Sequence, residues 1–312
     1  METFLIALAA VGALLFAAVP GYLFIKTKLV NRDVIPVVSK LLVYISQPAI
    51  AIYTFAGLEF SWKTLADMGL FTLLTLVFHI AVLGLAYLVL RRKSRKAVYR
   101  IMTIAMTFSN CTFFGIPIIE ALLPEISKGL LAYASIYSMA MNLIGWTVGA
   151  AIITHNTKYI TVKKIFINPA FLGTFAAFII FALSIPVQSD IMNMITLMGK
   201  MATPLSMIGL GMRIATVDLR SVFCDARLYA SSAVKQIAMP LIAFAVIWFL
   251  PIDAGIKCVF YILNACPTAA VVLNYSEILG EGQNEASSSL LLSTITSIAS
   301  LPLMMLLLNL II

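Results

Sequence analysis

Long apolar runs alternate with short polar segments along the whole chain. The hydrocarbon core of a bilayer is about 30 Å thick and requires about 20 mainly apolar residues per helical span. Transmembrane strands are about half as long and alternate in polarity, unlike these runs. The pattern therefore predicts an all-α polytopic membrane protein with ten transmembrane helices, at residues 4–25, 36–57, 65–90, 98–122, 129–154, 167–187, 191–214, 227–250, 255–279 and 286–311.

Spans 4 and 9, numbered in chain order, contain residues that interrupt a helix. Span 4 carries Ser109-Asn110-Cys111-Thr112-Phe113-Phe114-Gly115-Ile116-Pro117, and span 9 carries Asn264-Ala265-Cys266-Pro267-Thr268. Proline lacks a backbone N–H and clashes with the preceding turn, so a helix through either stretch kinks or breaks. Broken backbone at membrane depth is tolerated only where protein or a water-filled cavity satisfies it. Two broken helices in corresponding halves of a transporter indicate its binding site.

The composition agrees with a membrane protein. Of 312 residues, 62% are hydrophobic and 11% are charged, whereas soluble domains carry about 25% charged residues. The net charge of +8 is spread over the short segments between apolar runs, which indicates membrane topology and not a nucleic-acid partner. The first run follows Glu2 and precedes Lys26, Lys28 and Arg32, whereas a secretory signal peptide has a basic leader, so we predict a retained first span.

The basic residues orient the spans. With the N-terminus outside the cytoplasm, all but four of the 21 lysines and arginines lie in or beside the loops that follow odd-numbered spans. The four exceptions are Lys63, Lys128, Lys200 and Lys257. Because cytoplasmic loops carry the excess of basic residues, we predict a multi-pass protein of the cell membrane with both termini extracytoplasmic. The basic cluster between Arg91 and Arg100 is expected to contact anionic membrane lipids.

An odd number of spans in each half gives the halves opposite orientations, which predicts an inverted repeat. The first five-helix repeat is 1–154, a short cytoplasmic connection is 155–166, and the second repeat is 167–312. Broken spans 4 and 9 are the fourth members of their halves and are expected to cross at mid-membrane. Setting Asn110 against Pro267 aligns the two breaks and also brings Glu120 against Glu277.

The residues of these spans resemble the auxin efflux carrier family. The resemblance covers nearly the whole chain, and its motifs are Asn110 through Gly115-Ile116-Pro117, Asn168-Pro169, Pro204-Leu205-Ser206-Met207-Ile208-Gly209-Leu210-Gly211, Pro267 and Ser293-Thr294. The family includes the plant PIN-FORMED auxin carriers and bacterial carriers of small organic acids such as malonate or malate. This chain is similar to a bacterial member of it.

The resemblance implies a scaffold of spans 1, 2, 6 and 7 and a moving transport bundle of spans 3–5 and 8–10. It also implies elevator-like or rocking alternating access and a homodimer formed through the scaffold. Cation–proton antiporters and bile-acid symporters share this plan of crossing broken helices. Ser109 stands where plant members have proline, so we expect a less sharply bent first crossing. The short connection 155–166 argues against loop-based phospho-regulation of the plant kind.

We expect the substrate to bind at the crossing. A helix that begins at mid-membrane presents unpaired N–H groups and a partial positive charge, which suits an anion without a fixed cation. The predicted substrate-binding residues are Gln47, Asn110, Thr112, Asn142, Pro267 and Thr268. The predicted crossing or hinge residues are Ser109, Gly115, Pro117, Asn264 and Asn274. The alternative is that these polar groups only satisfy backbone freed by the breaks.

Few ionisable residues lie at membrane depth, where they are costly and usually functional. We consider Glu120, Glu277 and His79 as coupling residues; alternatively, the glutamates are solvated helix ends and His79 is a hydrogen-bonded structural histidine. Three lysines near span ends are expected to snorkel to the interface, namely Lys40, Lys200 and Lys235. No metal site or cofactor is predicted, because the four cysteines have no paired spacing and the two histidines are far apart.

Together these features predict a secondary active transporter of a small organic anion, a mono- or dicarboxylate of auxin-like or malonate/malate-like type. One alternative is a sodium- or proton-coupled cation or organic acid symporter or antiporter of the related broken-helix folds. From another class, the alternative is a non-transporting membrane receptor or assembly subunit. An enzyme is not expected, because no catalytic constellation is visible at membrane depth, and no Walker-type motif indicates an ATP-driven pump.

Overall fold

The computed structural model of the protein describes residues 1–56, 58–155 and 167–311. Within these ranges a few side chains lie outside the description, those of Arg220, Ser221, Asn274, Glu277 and Ile278. The described residues are helical almost throughout, and the single β-type pairing among them joins Ser109 to Thr268. The prediction of an all-α protein is confirmed.

The helices follow the apolar runs of the sequence. In chain order they are α1 (Glu2–Lys26), α2 (Val34–Phe55), α3 (Trp62–Lys93), α4 (Ala97–Ala105), α5 (Cys111–Leu122), α6 (Ser127–Thr154), α7 (Pro169–Ala182), α8 (Ser189–Lys200), α9 (Ala202–Ile214), α10 (Leu219–Cys224), α11 (Ala226–Trp248), α12 (Ala254–Ala265), α13 (Val271–Leu279) and α14 (Gln283–Leu310). Among the described residues, six of these helices are long and apolar enough to cross a membrane: α1, α2, α3, α6, α11 and α14.

The predicted multi-pass membrane protein is therefore confirmed, and helix ends fall within a few residues of the predicted ones. The other four apolar runs hold shorter helices: α4 with α5, α7 alone, α8 with α9, and α12 with α13. Because none of these shorter helices is long enough by itself to span a bilayer, the count of ten spans stays a prediction.

Both helix interruptions lie in the predicted stretches, but the two prolines act differently. In span 9, Cys266 is extended and Pro267 stands in the break itself, since the residue before a proline is disfavoured in a helix. In span 4 the break precedes Cys111, and Pro117 lies inside α5. The turn Cys111–Gly115 is π-helical, and this wider turn accommodates the proline that follows it.

Side-chain caps explain where several helices begin. The Ser61 side chain accepts from the backbone N–H of Thr64 at the start of α3. Asn168 caps α7 in the same way, directly before Pro169, whose missing N–H costs nothing in the first turn. The Asp253 carboxylate accepts from the first N–H groups of α12. These caps fix where α3, α7 and α12 begin.

Glycines allow two pairs of helices to pack with their backbones in close contact. A Cβ atom on Gly21 of α1 would overlap the Ile208 carbonyl of α9, and one on Gly211 of α9 would overlap the Ala18 carbonyl of α1. In the second pair, a Cβ on Gly173 of α7 would overlap Pro48 of α2. Small residues at such contacts are typical of helix association in membranes. These four helices occupy the spans that the resemblance assigns to the scaffold, a division that stays a prediction.

A buried aromatic cluster joins α3, α6 and α12 beside the second break. Phe71 packs edge-to-face on Tyr133 and Phe260, with ring centroids 5.0 Å and 5.9 Å apart. Phe78 packs edge-to-face on Phe260 at 5.3 Å, and Tyr137 contacts the same ring at 6.3 Å. Such pairs add stability beyond their buried area. The cluster holds in place the polar groups that lie behind the breaks.

Candidate functional site

The two helix interruptions lie side by side and satisfy each other's backbone. The N–H of Asn110 donates to the carbonyl of Pro267 at 2.8 Å, and the N–H of Ala269 donates to the carbonyl of Phe108 at 2.9 Å. Buried backbone groups freed by a break require partners of this kind in a membrane protein. The sequence-predicted breaks are thus brought together by direct hydrogen bonds.

The two hydrogen bonds are reciprocal. Exchanging Phe108 with Pro267 and Asn110 with Ala269 turns one bond into the other, as in any antiparallel bridge. Pro267 has no N–H and therefore only accepts, whereas Asn110 donates at its position. Resemblance between side chains does not reveal which backbone groups are paired.

Further contacts close the junction around Thr268. Its hydroxyl donates to the Ala105 carbonyl at 3.1 Å, and its N–H donates to the Ser293 hydroxyl at 3.1 Å. Gly115 faces the other break, where an added Cβ would lie 2.6 Å from Leu263 Cδ2. Thr268 therefore bonds across the junction, and Gly115 permits its close packing.

A cavity of about 160 Å³ opens beside the first break. Its wall combines α2 and α9 with α5, α6 and α13, so both predicted helix groups contribute. Five residues that sequence analysis singled out line it: Gln47, Ser109, Asn110, Thr112 and Asn142. Among the described lining residues, the predicted Pro267, Thr268, Asn264, Gly115 and Pro117 are not found. The cavity is thus built mainly on the first break.

Amide side chains line the cavity wall near the middle of α6. Gln47 Nε2 donates to the Ser138 hydroxyl at 3.5 Å. Asn142 Nδ2 donates to the Ser138 carbonyl at 2.8 Å, and its Oδ1 accepts from Asn168 Nδ2 at 3.5 Å. An amide carries two donor hydrogens and an oxygen with two lone pairs. These contacts orient Gln47 and Asn142 and leave donor capacity for a ligand.

Arg213 and Tyr275 are among the cavity-lining residues that were not predicted from the sequence. Arg213 is the only charged side chain among the described lining residues, and its Nη2 donates to the Ser39 hydroxyl at 3.3 Å. Tyr275 is buried, and within the described structure its hydroxyl has no hydrogen-bond partner. Arg213 directly follows Gly211-Met212, at the end of a family motif, and this position could have indicated a site residue. From the sequence, Arg213 was interpreted only as a basic residue at a span end. No sequence signal separates Tyr275 from other tyrosines.

A fully buried polar network lies behind the breaks. Tyr137 Oη donates to Asn264 Oδ1 at 2.9 Å and lies 3.0 Å from His79 Nε2 and 3.3 Å from Ser109 Oγ. Lys235 Nζ donates to the Asn264 carbonyl at 2.8 Å. Each of these five residues is at most 1% exposed. Asn264 is therefore a network residue at the end of α12, and His79 is hydrogen-bonded.

The expectation that Lys235 snorkels to the interface is wrong. Its side chain is 0% exposed and reaches the second break instead. Lys235 lies in a π-helical turn of α11, Val234–Ala238, where the wider turn redirects side chains. The backbone carbonyl at the C-terminal end of α12 carries a partial negative charge and accepts a hydrogen bond from Lys235 Nζ. Position along a span did not reveal this direction.

The remaining predicted residues lie away from the cavity or outside the described side chains. Glu120 is half-buried in the last turn of α5 and is absent from the described cavity wall. Asn274 and Glu277 belong to α13, but their side chains lie outside the described residues. After α13, Glu281 forms an ion pair with Arg100 of α4, which joins the two broken spans near one end. Within the described residues, no cluster suitable for a metal ion is found.

One comparison with known proteins bears on this geometry. The family described as membrane transport protein matches the chain twice, over residues 6–165 and 153–305. Together the two matches cover almost the full length, including both breaks, the cavity and the buried network. No individual curated protein matches the chain.

Proposed function

The chain belongs to the membrane transport protein family of the auxin efflux carriers, and from this premise we propose that it is a secondary carrier of a small organic anion. The substrate class is a mono- or dicarboxylate, held in the cavity beside the paired breaks. The observation that carries the proposal is the guanidinium in the cavity wall: among the described lining residues, Arg213 is the only charged one.

The start of α5 adds to this positive character. Asn110 and Thr112 lie at the first turn of this helix and line the cavity. The first N–H groups of a helix and its dipole favour an anion. The amides of Gln47 and Asn142 and the hydroxyl of Tyr275 supply further donors on the opposite walls. Apolar side chains such as Phe108 and Met141 complete the wall and suit the hydrocarbon part of an organic acid.

Alternating access is supported by the symmetry of the contacts. The paired close packings of α1 with α9 and of α7 with α2 are what two inverted five-helix repeats would produce. The contact between α9 and α5 is slight by comparison, with Thr203 Oγ1 donating to the Phe113 carbonyl at 3.4 Å. We infer ten spans, crossing of spans 4 and 9, and movement of one helix group past the other.

The sodium-coupled alternative is disfavoured by Lys235. In carriers with broken helices, C-terminal half-helix ends and unwound carbonyls coordinate the coupling cation. Here the Asn264 carbonyl at the end of α12 already accepts from the side-chain nitrogen of Lys235. A cation antiporter would need carboxylates at the breaks, and the described residues place amides, hydroxyls and thiols there. Family membership favours transport over a receptor or an assembly subunit.

The location and assembly follow from the same reasoning. The positive-inside bias supports the cell membrane with both termini extracytoplasmic. Ser39, Asn168 and Arg213 lie at the helix ends assigned to the cytoplasm and also line the cavity, so we infer that it opens inward. A homodimer through α1, α2, α7, α8 and α9 is proposed on the resemblance.

Counterflow of radiolabelled malonate in proteoliposomes tests the function. We expect exchange by the wild-type protein, loss of at least tenfold in Asn110→Ala, and no change in the control Asn193→Ala, whose side chain is exposed on α8. Malate and an aromatic monocarboxylate serve as further probes of the substrate class. Full exchange by Asn110→Ala, or a response to cations with none to any organic acid, would reject the proposal.

A further inference from the structure

The buried network of His79, Tyr137, Asn264, Lys235 and Ser109 has no task in anion binding as proposed above. Only Ser109 among these residues lines the cavity. The others lie behind the breaks, yet three of them are ionisable and fully buried: His79, Tyr137 and Lys235. Ionisable groups at membrane depth are costly to maintain. The hydrogen bonds of these residues indicate which protonation state of His79 the network favours.

The network contains fewer protons than its contacts require when His79 is neutral. The Thr75 carbonyl only accepts, so His79 Nδ1, at 2.7 Å, must donate to it. The Asn264 amide donates from Nδ2 to the Phe260 carbonyl at 2.8 Å, which points its Oδ1 to the Tyr137 hydroxyl. Tyr137 has a single proton to donate. When Asn264 receives it, His79 Nε2 must donate to Tyr137.

Only the imidazolium form of His79 satisfies all of these contacts. A neutral ring protonated at Nδ1 accepts the Tyr137 hydrogen bond at Nε2 and leaves the buried Asn264 Oδ1 without a donor. A neutral ring protonated at Nε2 sets the Nδ1 lone pair against the Thr75 carbonyl. An unsatisfied buried polar group costs about 1–3 kcal/mol. Hydrogen positions follow from this network of heavy atoms.

Burial opposes this protonation, and the neighbouring Lys235 opposes it further, until an anion is present. The ionisable groups that face His79 and Tyr137 from neighbouring helices are Lys235, Cys111 and Cys266. No carboxylate of a described residue acts on them. A second buried cation beside Lys235 is therefore costly. An anion in the cavity, on the far side of Ser109, reduces that cost, and by linkage protonation then strengthens anion binding by the same factor.

The same contacts provide a path for the proton. Ser109 lines the cavity, its Oγ lies 3.3 Å from Tyr137 Oη, and Tyr137 Oη lies 3.0 Å from His79 Nε2. Hydroxyl groups both donate and accept, so a proton from cavity water reaches the ring through two hydroxyls. The His79 ring gains one N–H bond when the anion binds and returns the proton to water when the anion leaves.

We propose that His79 is a proton-binding site, reached through Ser109 and Tyr137. It couples the movement of a proton to that of the anion in the same direction. This proposal rests on the proposed function, because the anion in the cavity is what favours the imidazolium. It assigns His79 a role in coupling and Tyr137 a positioning role that switches between His79 and Asn264.

Nitrogen NMR of histidine tests the proton site without any transport measurement. The protein has two histidines, and the exposed His155 contacts only the Ser94 carbonyl among the described residues. A His155→Gln variant therefore reports on His79 alone. In lipid nanodiscs we expect its ring to change from neutral to imidazolium as the pH is lowered. Malonate should raise the midpoint by about one pH unit, a tenfold coupling. A ring that stays neutral at every pH at which the protein is folded would overturn the proposal.

Proteoliposomes with the membrane potential held at zero test the coupling. An inward proton gradient should accelerate malonate uptake several-fold in the wild-type protein and in His155→Gln. His79→Gln, which is polar but does not titrate, should keep malonate counterflow at saturating malonate and lose this acceleration. Tyr137→Phe should lose it as well, which provides a second variant if His79→Gln does not fold. An undiminished response of both variants would refute coupling through His79. If the wild-type protein shows no malonate exchange, the proposed function is rejected, and the NMR titration alone decides whether His79 binds a proton.

Discussion

Arg213 of α9 donates from Nη2 to the Ser39 hydroxyl of α2 at 3.3 Å, at the wall of the cavity. The hydroxyl holds the guanidinium at a fixed place on the helices that we assign to the scaffold. A guanidinium has five N–H donors, so this contact is compatible with binding a carboxylate. A positive charge fixed beside an anion site strengthens binding and selects against cations.

Replacing Arg213 by glutamine should weaken anion binding. Hydrogen bonds to charged groups contribute about 1.5–3 kcal/mol, so we expect the malonate dissociation constant to rise about tenfold or more. Binding is measured by thermal shift or by solid-supported-membrane currents. Arg213→Lys should retain part of the affinity, because lysine keeps the charge without the planar fork.

Arg92→Gln is the matched control for this change, since Arg92 is exposed and lies near the end of α3, away from the cavity. Wild-type affinity in Arg213→Gln would show that the guanidinium serves the structure of the helix pair and not the ligand.

Tyr275→Phe should change stability and affinity in opposite directions. Its buried hydroxyl has no partner in the described structure, so its removal should leave the empty protein more stable by about 1 kcal/mol. If this hydroxyl donates to a bound anion, the same substitution should weaken malonate binding several-fold. Thermal unfolding with and without malonate measures both effects.

Tyr229→Phe provides the comparison, because Tyr229 is an exposed residue of α11. A loss of stability in the empty Tyr275→Phe protein would mean that the hydroxyl already has a partner, such as an internal water, and would contradict the assignment to the ligand.

Gly21→Ala should destabilise the protein by separating α1 from α9. The added methyl group would overlap the backbone carbonyl of Ile208, which cannot move without shifting the helix. Overpacking of this kind costs about 1–3 kcal/mol, measured as a lower unfolding temperature in detergent.

Gly12→Ala on the same helix is the control, because a Cβ atom there meets nothing within 4 Å. It should be neutral or slightly stabilising, since alanine favours helix more than glycine does. Equal effects of the two substitutions would contradict close packing at Gly21.

The helices and their interruptions were predictable because both depend on local sequence. Apolar runs of sufficient length indicate spans, and helix ends in the structure agree with them within a few residues. The polar stretches around Asn110 and Pro267 contain the breaks. Even so, the proline of the first stretch, Pro117, lies inside α5 and not in the break. Local composition predicts which segment of a helix is interrupted more reliably than it predicts the residue at which the helix ends.

The direction of single side chains was not predictable. Lys235 and Arg213 were both interpreted as basic residues near span ends. In the structure, one lies fully buried against Asn264 and the other lines the cavity. A sequence specifies how far along a helix a residue lies, but its facing depends on π-helical turns and on how the helix is packed. Tyr275 was missed for the same reason.

The sequence by itself determined an all-helical membrane protein of a transporter family with two broken spans, because length, hydropathy and prolines act within one segment of chain. Only the tertiary structure decided that the breaks pair through Asn110 with Pro267 and Ala269 with Phe108, and which polar residues face the cavity. It also decided that His79, Tyr137, Asn264 and Lys235 share one network. Those relations join residues from different helices, and hydrogen-bond geometry across helices exists only once the helices are packed.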